Sequence, residues 1–338
     1  MKKLRIGING FGRIGRCLFR LGLEKLDIVA VNSRSSIEVA SHLLKYDSVH
    51  GIYKKNISCM KDKIKIDEKQ VAYCAYSHPS QIPWDQWNVD LVLECSGVFK
   101  ERADLQAHFR KGVKRVFVSA PTKGDDFTLI YGVNQDVFNP EQHKIISNGS
   151  CTTNCLVPVI KVLDEHFKIQ DLMFTTIHSY TQDQKLLDSS HKKDLRRARA
   201  AALSMIPTST GATNALARIF PHLKGKIGGM AVRVPTANVS LVDLVFRPLM
   251  NTKTVGVQDV NSAFLSAEET NLKGVLACEK QELVSMDFNG NPYSCIVDLP
   301  STIVLQEGLI KILAWYDNET GFSQRMMDFI VHLEKRER

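Results

Sequence analysis

The chain has 338 residues, of which 44% are hydrophobic and 24% charged, with eight cysteines and a formal net charge of +8. That length predicts two domains with two cores, and the composition excludes disordered, fibrous and membrane-spanning classes. The positive excess is spread along the chain apart from His191–Arg199, and it suits a small anionic substrate as well as a polyanion.

Met1-Lys2-Lys3 has the charge of a secretory n-region, but Arg5, Asn9 and Arg13 interrupt any apolar segment after it, so a cytoplasmic location is expected. Eight cysteines in such a chain read as reduced thiols. Cys151 and Cys155 lie one helical turn apart with no second pair or histidine cluster to complete a zinc site, so no metal is expected.

In chain order, Leu4–Asn9 reads as a short strand running into Gly10-Phe11-Gly12-Arg13-Ile14-Gly15, after which Ile14, Cys17, Leu18 and Leu21 follow helical spacing. This is the dinucleotide fingerprint in the context that gives it meaning. Gly10 makes the tight turn, Gly12 lets backbone approach a pyrophosphate, and Gly15 allows close helix–strand packing. A second strand, Asp27–Asn32, closes the unit. About twenty residues past the glycines an acid would hold the adenosine ribose. Here Ser33 and Arg34 stand there, and they would accept a 2′-phosphate where an acid would repel it, so NADP is expected beside NAD. Ile37–Tyr46 reads as a helix, and residues 52–88 as mixed and polar with short β-like pieces. Then follow a buried strand at Val89–Cys95, a helix at Glu101–Lys111, a strand at Arg115–Ala120, and two more at Leu129–Val133 and Lys144–Ser147. Strands alternating with helices predict an α/β, Rossmann-type doubly wound parallel sheet in 1–150. Ligands of such sheets bind beyond the C-terminal strand ends, where Ser96, Gly97 and Ser119 fall.

Cys151 stands at a strand-to-helix turn in Ser147-Asn148-Gly149-Ser150-Cys151-Thr152-Thr153-Asn154-Cys155. The unpaired N–H groups and dipole of a helix start favour thiolate, the form that attacks carbonyls. His178 is its candidate base, and the placement predicts a thiol at the nicotinamide end of a dinucleotide. Residues 151–317 change character. Asp171–Thr181, Met230–Pro248 and Leu309–Trp315 are β-branched runs that predict an α+β catalytic domain with a mostly antiparallel sheet. Asp183–Ile206 is a long polar loop with a basic cluster at Leu195–Arg199. No aromatic residues interleave there, which argues against nucleic acid. Pro207–Ala212 opens a helix with hydroxyls and N–H groups suited to an anion. Arg233 lies inside an apolar strand and needs a partner, either an anionic substrate group or an internal carboxylate. From Asn318 on (318–338) a helix with Phe322, Met326, Phe329 and Ile330 on one face is expected to pack back on the first domain.

Through Ile8-Asn9-Gly10-Phe11-Gly12-Arg13-Ile14-Gly15-Arg16, Ser150-Cys151-Thr152-Thr153-Asn154-Cys155, Thr208-Ser209-Thr210-Gly211-Ala212, Arg233-Val234-Pro235-Thr236 and Tyr316-Asp317-Asn318-Glu319, the chain resembles phosphorylating glyceraldehyde-3-phosphate dehydrogenases from end to end. The resemblance implies Cys151 as nucleophile and His178 as its activator. It implies one phosphate site at Thr181 and Arg233, and a second at Ser150, Thr152, Thr210 and Gly211 with Arg197 nearby. It gives cofactor roles to Asn9, Arg13, Ile14, Ser119 and Asn318, the last holding the carboxamide. It also implies a homotetramer with the loop after His178 at a subunit interface, and the oxidation of glyceraldehyde 3-phosphate to 1,3-bisphosphoglycerate through a Cys151 thioester.

The chain departs from the pattern at Ser33, at Ser77-His78-Pro79, at Asp183 where many members have threonine, and at Thr320 in place of an aromatic residue. Leu195–Ala201 resembles the variety found in NADP-accepting members. The related erythrose-4-phosphate dehydrogenases depart at Thr208–Ala212, which this chain keeps, so the triose is the favoured substrate and the tetrose the alternative. The alternative of another class is a protein on the same fold that binds RNA or a partner through its basic loop.

Overall fold

A computed structural model describes residues 3–109, 112–192, 194–249, 255–306 and 308–336. The chain divides into two compact units, Met1–Ser150 with Ser323–Arg338, and Cys151–Phe322.

Among the described residues, the first unit is built on a nine-stranded sheet. Its order is Phe127–Thr128, Ile145–Ser147, Arg115–Val118, Leu91–Glu94, Arg5–Asn9, Asp27–Asn32, Lys69–Cys74, Lys63–Ile66 and Ile57–Cys59. Pairing is parallel as far as Lys69–Cys74 and antiparallel for the last two strands. All four residues of Leu91–Glu94 and of Arg115–Val118 are buried, as the central strands of a sheet covered on both faces must be. One core gathers Ala30, Ile82, Trp84, Val92, Leu105 and Val116. Phe329 packs edge-on to Phe117 and Phe138, at 5.5 and 5.0 Å between ring centroids.

Two expectations for this unit change. The predicted helix Glu101–Lys111 is short, Arg102–Gln106, and Arg110 and Lys111 lie outside the described residues, as do Met1 and Lys2. The apolar run Leu129–Val133 is a turn that follows the strand Phe127–Thr128. Leu129 N still donates to Ser147 O, but Val133 N donates to Ile130 O and the Asn134 side chain accepts from Ile130 N, so local bonds replace a ladder from Ile130 on.

Among the described residues, the second unit carries an eight-stranded mixed sheet. Its main path runs Ile206–Thr208, Ile227–Val234, Ile169–Ser179, Ser240–Pro248, Ile310–Tyr316, Cys295–Asp298 and Leu276–Glu279. Pairing is antiparallel except between Ile169–Ser179 and Ile227–Val234 and between the last two strands. The run Met230–Pro248 is broken at 235–239, where Val239 takes a φ of +67°, a conformation costly for a β-branched residue. Helix Cys151–Phe167 is buried on nearly every side, from Thr152 to Leu163. Strand Ile310–Tyr316 buries every second residue, which turns Tyr316 inward. No helix among the described residues is long and apolar enough to cross a membrane.

Candidate active site

At the dinucleotide fingerprint, Gly10 has a φ of +94°, and a Cβ there would lie 2.4 Å from the Ser96 backbone, so only glycine fits. A Cβ on Gly15 would lie 2.1 Å from Gly10 O. At Gly12 the space is open and the residue exposed. It caps helix Arg13–Gly22 with no side-chain hydrogen bond, leaving the helix start available to an anion. The glycine cradle therefore fits a dinucleotide pyrophosphate.

The residues around the cradle divide between ligand-facing and internal. Asn9, expected to touch the cofactor, is buried and fully engaged. Its Nδ2 donates to Glu94 Oε2 and its Oδ1 accepts from Asn32 Nδ2. Ser96 donates from both N and Oγ to Glu94 Oε1, and its Oγ accepts from Val98 N. Gly97 is exposed with open space around it, and Ser119 N donates to Glu94 O. Arg13 pairs with Asp47 at 2.6 Å, and Ile14 beside it is half-buried. Asn32 closes the second strand by bonding Asn9, Tyr76 N and Tyr76 O, so no acid faces a ribose at that end. Ser33 is half-buried. Arg34 is exposed and has no partner among the described residues.

In the second unit, Cys151 opens helix Cys151–Phe167 after Gly149, whose φ of +64° turns the chain. His178 and Arg233 are paired directly in the parallel ladder, so their side chains emerge side by side. Cys151 Sγ lies 3.4 Å from His178 Nε2. His178 Nδ1 lies 2.7 Å from Ser179 O and 2.6 Å from Arg233 Nη1, which also donates to Ser179 O at 2.8 Å. Burial, then the Arg233 charge, push the His178 pKa down to about 3, so the imidazole is neutral near pH 7. Burial also raises the Cys151 thiol above its ordinary value, against the opposing pull of Arg233 and of the N–H and hydroxyl of Thr152. The expectation that the helix start alone favours thiolate is corrected here, because desolvation outweighs it.

The anion-site residues cluster unevenly. Thr181 Oγ1 donates to Asp183, whose other oxygen pairs with Arg197, and Asp183 is electrostatically coupled to Arg233. Arg197, expected beside the second phosphate, thus joins the Thr181–Asp183 pair to the segment before helix Ala212–Ile219, its Nε donating to Thr208 Oγ1 at 2.9 Å. Gly211 caps helix Ala212–Ile219 with open space around it, while Thr210 Oγ1 accepts from Ala212 N. Thr152 is buried and lies 3.0 Å from Tyr316 OH, itself 2.8 Å from Thr176 Oγ1, so its hydroxyl belongs to an interior chain instead of an open phosphate site. Ser150, also expected at the phosphate, is half-buried. Asn318 Oδ1 accepts from Ser179 Oγ and Ser240 Oγ, which leaves Nδ2 as a donor without a partner among the described residues.

Two family models match. Residues 4–102 fit the glyceraldehyde 3-phosphate dehydrogenase NAD binding domain, and residues 150–318 fit the C-terminal domain of the same enzyme. The chain belongs to the glyceraldehyde-3-phosphate dehydrogenase family. It is 47% identical over 337 residues to glyceraldehyde-3-phosphate dehydrogenase 2 of Bacillus subtilis, covering 99% of this chain and 98% of the relative. It is 48% identical over 335 residues to the enzyme of Geobacillus stearothermophilus (98% and 99%) and 47% identical over 332 residues to the chloroplastic A form of Zea mays (96% and 81%).

Within this family member, residues to which the sequence analysis gave no role hold the site together. Asp317 is fully buried. Its Oδ1 accepts from the N–H groups of Glu319 and Thr320, and its Oδ2 accepts from Gly290 N and Asn238 Nδ2. It thereby fixes both Asn318 and the strained Val239. An aspartate three residues before a helix was the available signal for this N-cap. Glu94 and His108 gave no such signal, being an acid and a histidine inside segments that read as ordinary strand and helix. Among the described residues no cluster of His, Cys, Asp and Glu could hold a metal, and all eight cysteines are free thiols.

Proposed function

We propose that this chain oxidises D-glyceraldehyde 3-phosphate with a nicotinamide dinucleotide and inorganic phosphate to 1,3-bisphosphoglycerate, reversibly, through a thioester on Cys151. The observation that carries the reading is Cys151 Sγ at 3.4 Å from a His178 Nε2 that is held neutral, and so able to take a proton, near pH 7.

Cys151 Sγ adds to the aldehyde carbon, giving a hemithioacetal. A bound nicotinamide supplies the hydride acceptor. As the hydroxyl proton passes to His178 Nε2, the C–O bond becomes a carbonyl and Cys151 carries an acyl group. Inorganic phosphate then attacks this thioester, the C–S bond breaks, and Cys151 leaves as thiolate with the acyl phosphate released. Thr181 and Arg233 supply donors for the substrate phosphate, and Ser150, Thr210 and Gly211, with Arg197 nearby and the N–H groups of helix Ala212–Ile219, supply them for the attacking one. Gly10, Gly12, Arg13, Ile14, Gly97 and Ser119 would hold the dinucleotide, and Asn318 Nδ2 would be the donor for its carboxamide.

The open end of the second strand, with half-buried Ser33 and unpaired Arg34, supports acceptance of NADP beside NAD. Leu186, Leu187, Leu195, Leu203 and Met205 are 71–87% exposed on one loop, which supports a homotetramer that covers them. Eight free thiols suit the reducing cytoplasm. Cofactor reduction with glyceraldehyde 3-phosphate, with and without inorganic phosphate, tests the reading. Phosphate-dependent turnover that Cys151→Ser abolishes supports it, and turnover with erythrose 4-phosphate alone rejects it.

A further inference from the structure

One face of the nine-stranded sheet is covered only in part. The connection 79–88 lays Trp84 across the sheet at Gly7, where a Cβ would lie 2.6 Å from the indole ring. That segment ends in the helical turn Trp84–Trp87, closed by Asn88 at a φ of +49°. Beside Trp87 a groove of about 460 Å³ opens on the starting ends of strands Arg5–Asn9, Asp27–Asn32 and Lys69–Cys74. That is the size of a site for a small organic molecule. The Gly10 cradle lies at the other end of strand Arg5–Asn9, a strand length of about 13 Å away.

The walls of the groove differ in kind. Lys63 pairs with Ala72 in the antiparallel ladder and Ala72 with Ala30 in the parallel one, so all three share a face of the sheet. Ala72, Val29 and Trp87 are half-buried and packed on the core beneath, which gives an apolar floor. Trp87 is held in place. Its ring meets Trp84 edge-on at 6.2 Å and its carbonyl accepts from Arg5 Nε at 3.0 Å, while its indole N–H has no hydrogen-bond partner among the described residues. The rim is cationic. Arg5, Lys63 and Lys69 stand against one carboxylate, Asp27, which lies 3.6 Å from Arg5 Nη1. Lys63 and Lys69 have no ion pair among the described residues, and their ammonium groups reach only neutral oxygens, those of the Gln70 side chain and the Leu23 carbonyl. Glu24, the acid within electrostatic reach of Lys69, is paired with Lys55 at 2.9 Å.

We propose that this groove binds an aromatic acid, a flat ring carrying one anionic group, at a site separate from the dinucleotide cradle. The ring lies against Trp87 over Val29 and Ala72, and the acid group takes the charge of Lys63 and Lys69. The lining sets the class. An apolar floor and an indole wall disfavour a small hydrated anion, and two ammonium groups without counter-charge favour an acid over a neutral ring.

The test uses the full chain labelled with 5-fluorotryptophan, which has three tryptophans and so three 19F signals. Trp87→Phe and Trp315→Phe assign them. The probe is 2-naphthoate, added with oxidised dinucleotide at saturation so that the cradle is filled. The Trp87 signal is expected to shift saturably, with a Kd on the order of 0.1–1 mM, while that of Trp315, in the other unit, stays in place. Binding should be about tenfold weaker for the uncharged 2-naphthamide, and about tenfold weaker for 2-naphthoate with Lys63→Glu/Lys69→Glu. Unmoved Trp84 and Trp315 signals in the double variant show that it is folded. No saturable shift at Trp87, or equal affinity for acid and amide, overturns the proposal, and both are read on the unaltered chain. Equal affinity in the folded double variant overturns it too, as does decanoate binding as tightly as 2-naphthoate, which would remove the ring from the recognition.

Discussion

Glu94→Gln tests whether the dinucleotide cradle is held from beneath by one buried carboxylate. Glu94 is 1% exposed and accepts four hydrogen bonds, from Asn9 Nδ2 and His108 Nε2 on one oxygen and from Ser96 N and Oγ on the other. Three of the four donors cannot reverse, and only the Ser96 hydroxyl can accept instead. Trp84 Nε1 donates to His108 Nδ1 at 3.1 Å, which fixes the hydrogen on Nε2, and the Asn9 oxygen is occupied by Asn32. A glutamine with its NH2 toward Asn9 and His108 therefore faces two donors and loses two bonds, whereas turned toward Ser96, whose hydroxyl can accept, it loses only the bond from Ser96 N. Bonds to a charged acceptor are worth about 1.5–3 kcal/mol each and neutral ones about 1, so losing one and neutralising three in the better orientation costs on the order of 3–6 kcal/mol. Relief of a buried charge returns part of it, leaving about 2–4 kcal/mol net. At roughly 2–4 °C per kcal/mol, calorimetry should show the first transition lowered by on the order of 10 °C. Because Asn9 and Ser96 frame the Gly10 turn, dinucleotide affinity in a fluorescence titration should weaken as well. A stability change below about 1 kcal/mol, the size of an ordinary surface substitution, would refute the four-donor account.

Other perturbations follow from the second unit and the cofactor end. His178→Asn should lower kcat by about 10²–10⁴-fold in steady-state assays with little change in KM, because the base is lost and the anion sites remain. The same variant should change acid stability. A histidine with a pKa of about 3 in the folded state binds its proton only on unfolding, so stability falls as pH drops from about 6.5 towards 3. Urea titrations of His178→Asn should show a slope shallower by up to about 1.4 kcal/mol per pH unit in that window. Tyr316→Phe removes the hydroxyl between Thr152 and Thr176 and should cost about 1–3 kcal/mol in urea denaturation. Ser33→Asp should raise the KM for NADP while sparing NAD, and equal effects on both cofactors would discard the 2′-phosphate reading.

The parts legible in the sequence were those that local sterics or short-range periodicity dictate. Gly10, Gly12 and Gly15 were readable because each excludes or spares a Cβ within one turn. The pairing of His178 with Arg233 was not readable. They are neighbours only through a parallel register set by the chain between them, and no spacing rule specifies it. The thiol of Cys151 was read from its helix start, whereas its burial, a property of the whole unit, reverses the direction of the shift. Leu129–Val133 was read as a strand because a short apolar run gives no periodicity, and Asn134 decided for a turn. Thr152 shows the same limit at one side chain. Its place in the cysteine motif was evident, and its bond to Tyr316, 164 residues on, was not.

The central claim is a covalent acyl group on Cys151. The most direct measurement is mass spectrometry of the protein after incubation with glyceraldehyde 3-phosphate and oxidised dinucleotide in phosphate-free buffer. A 3-phosphoglyceroyl adduct confined to the Cys151 peptide, discharged when inorganic phosphate is added, is the predicted result. Cofactor reduction with no adduct, or an adduct that phosphate does not discharge, would contradict it.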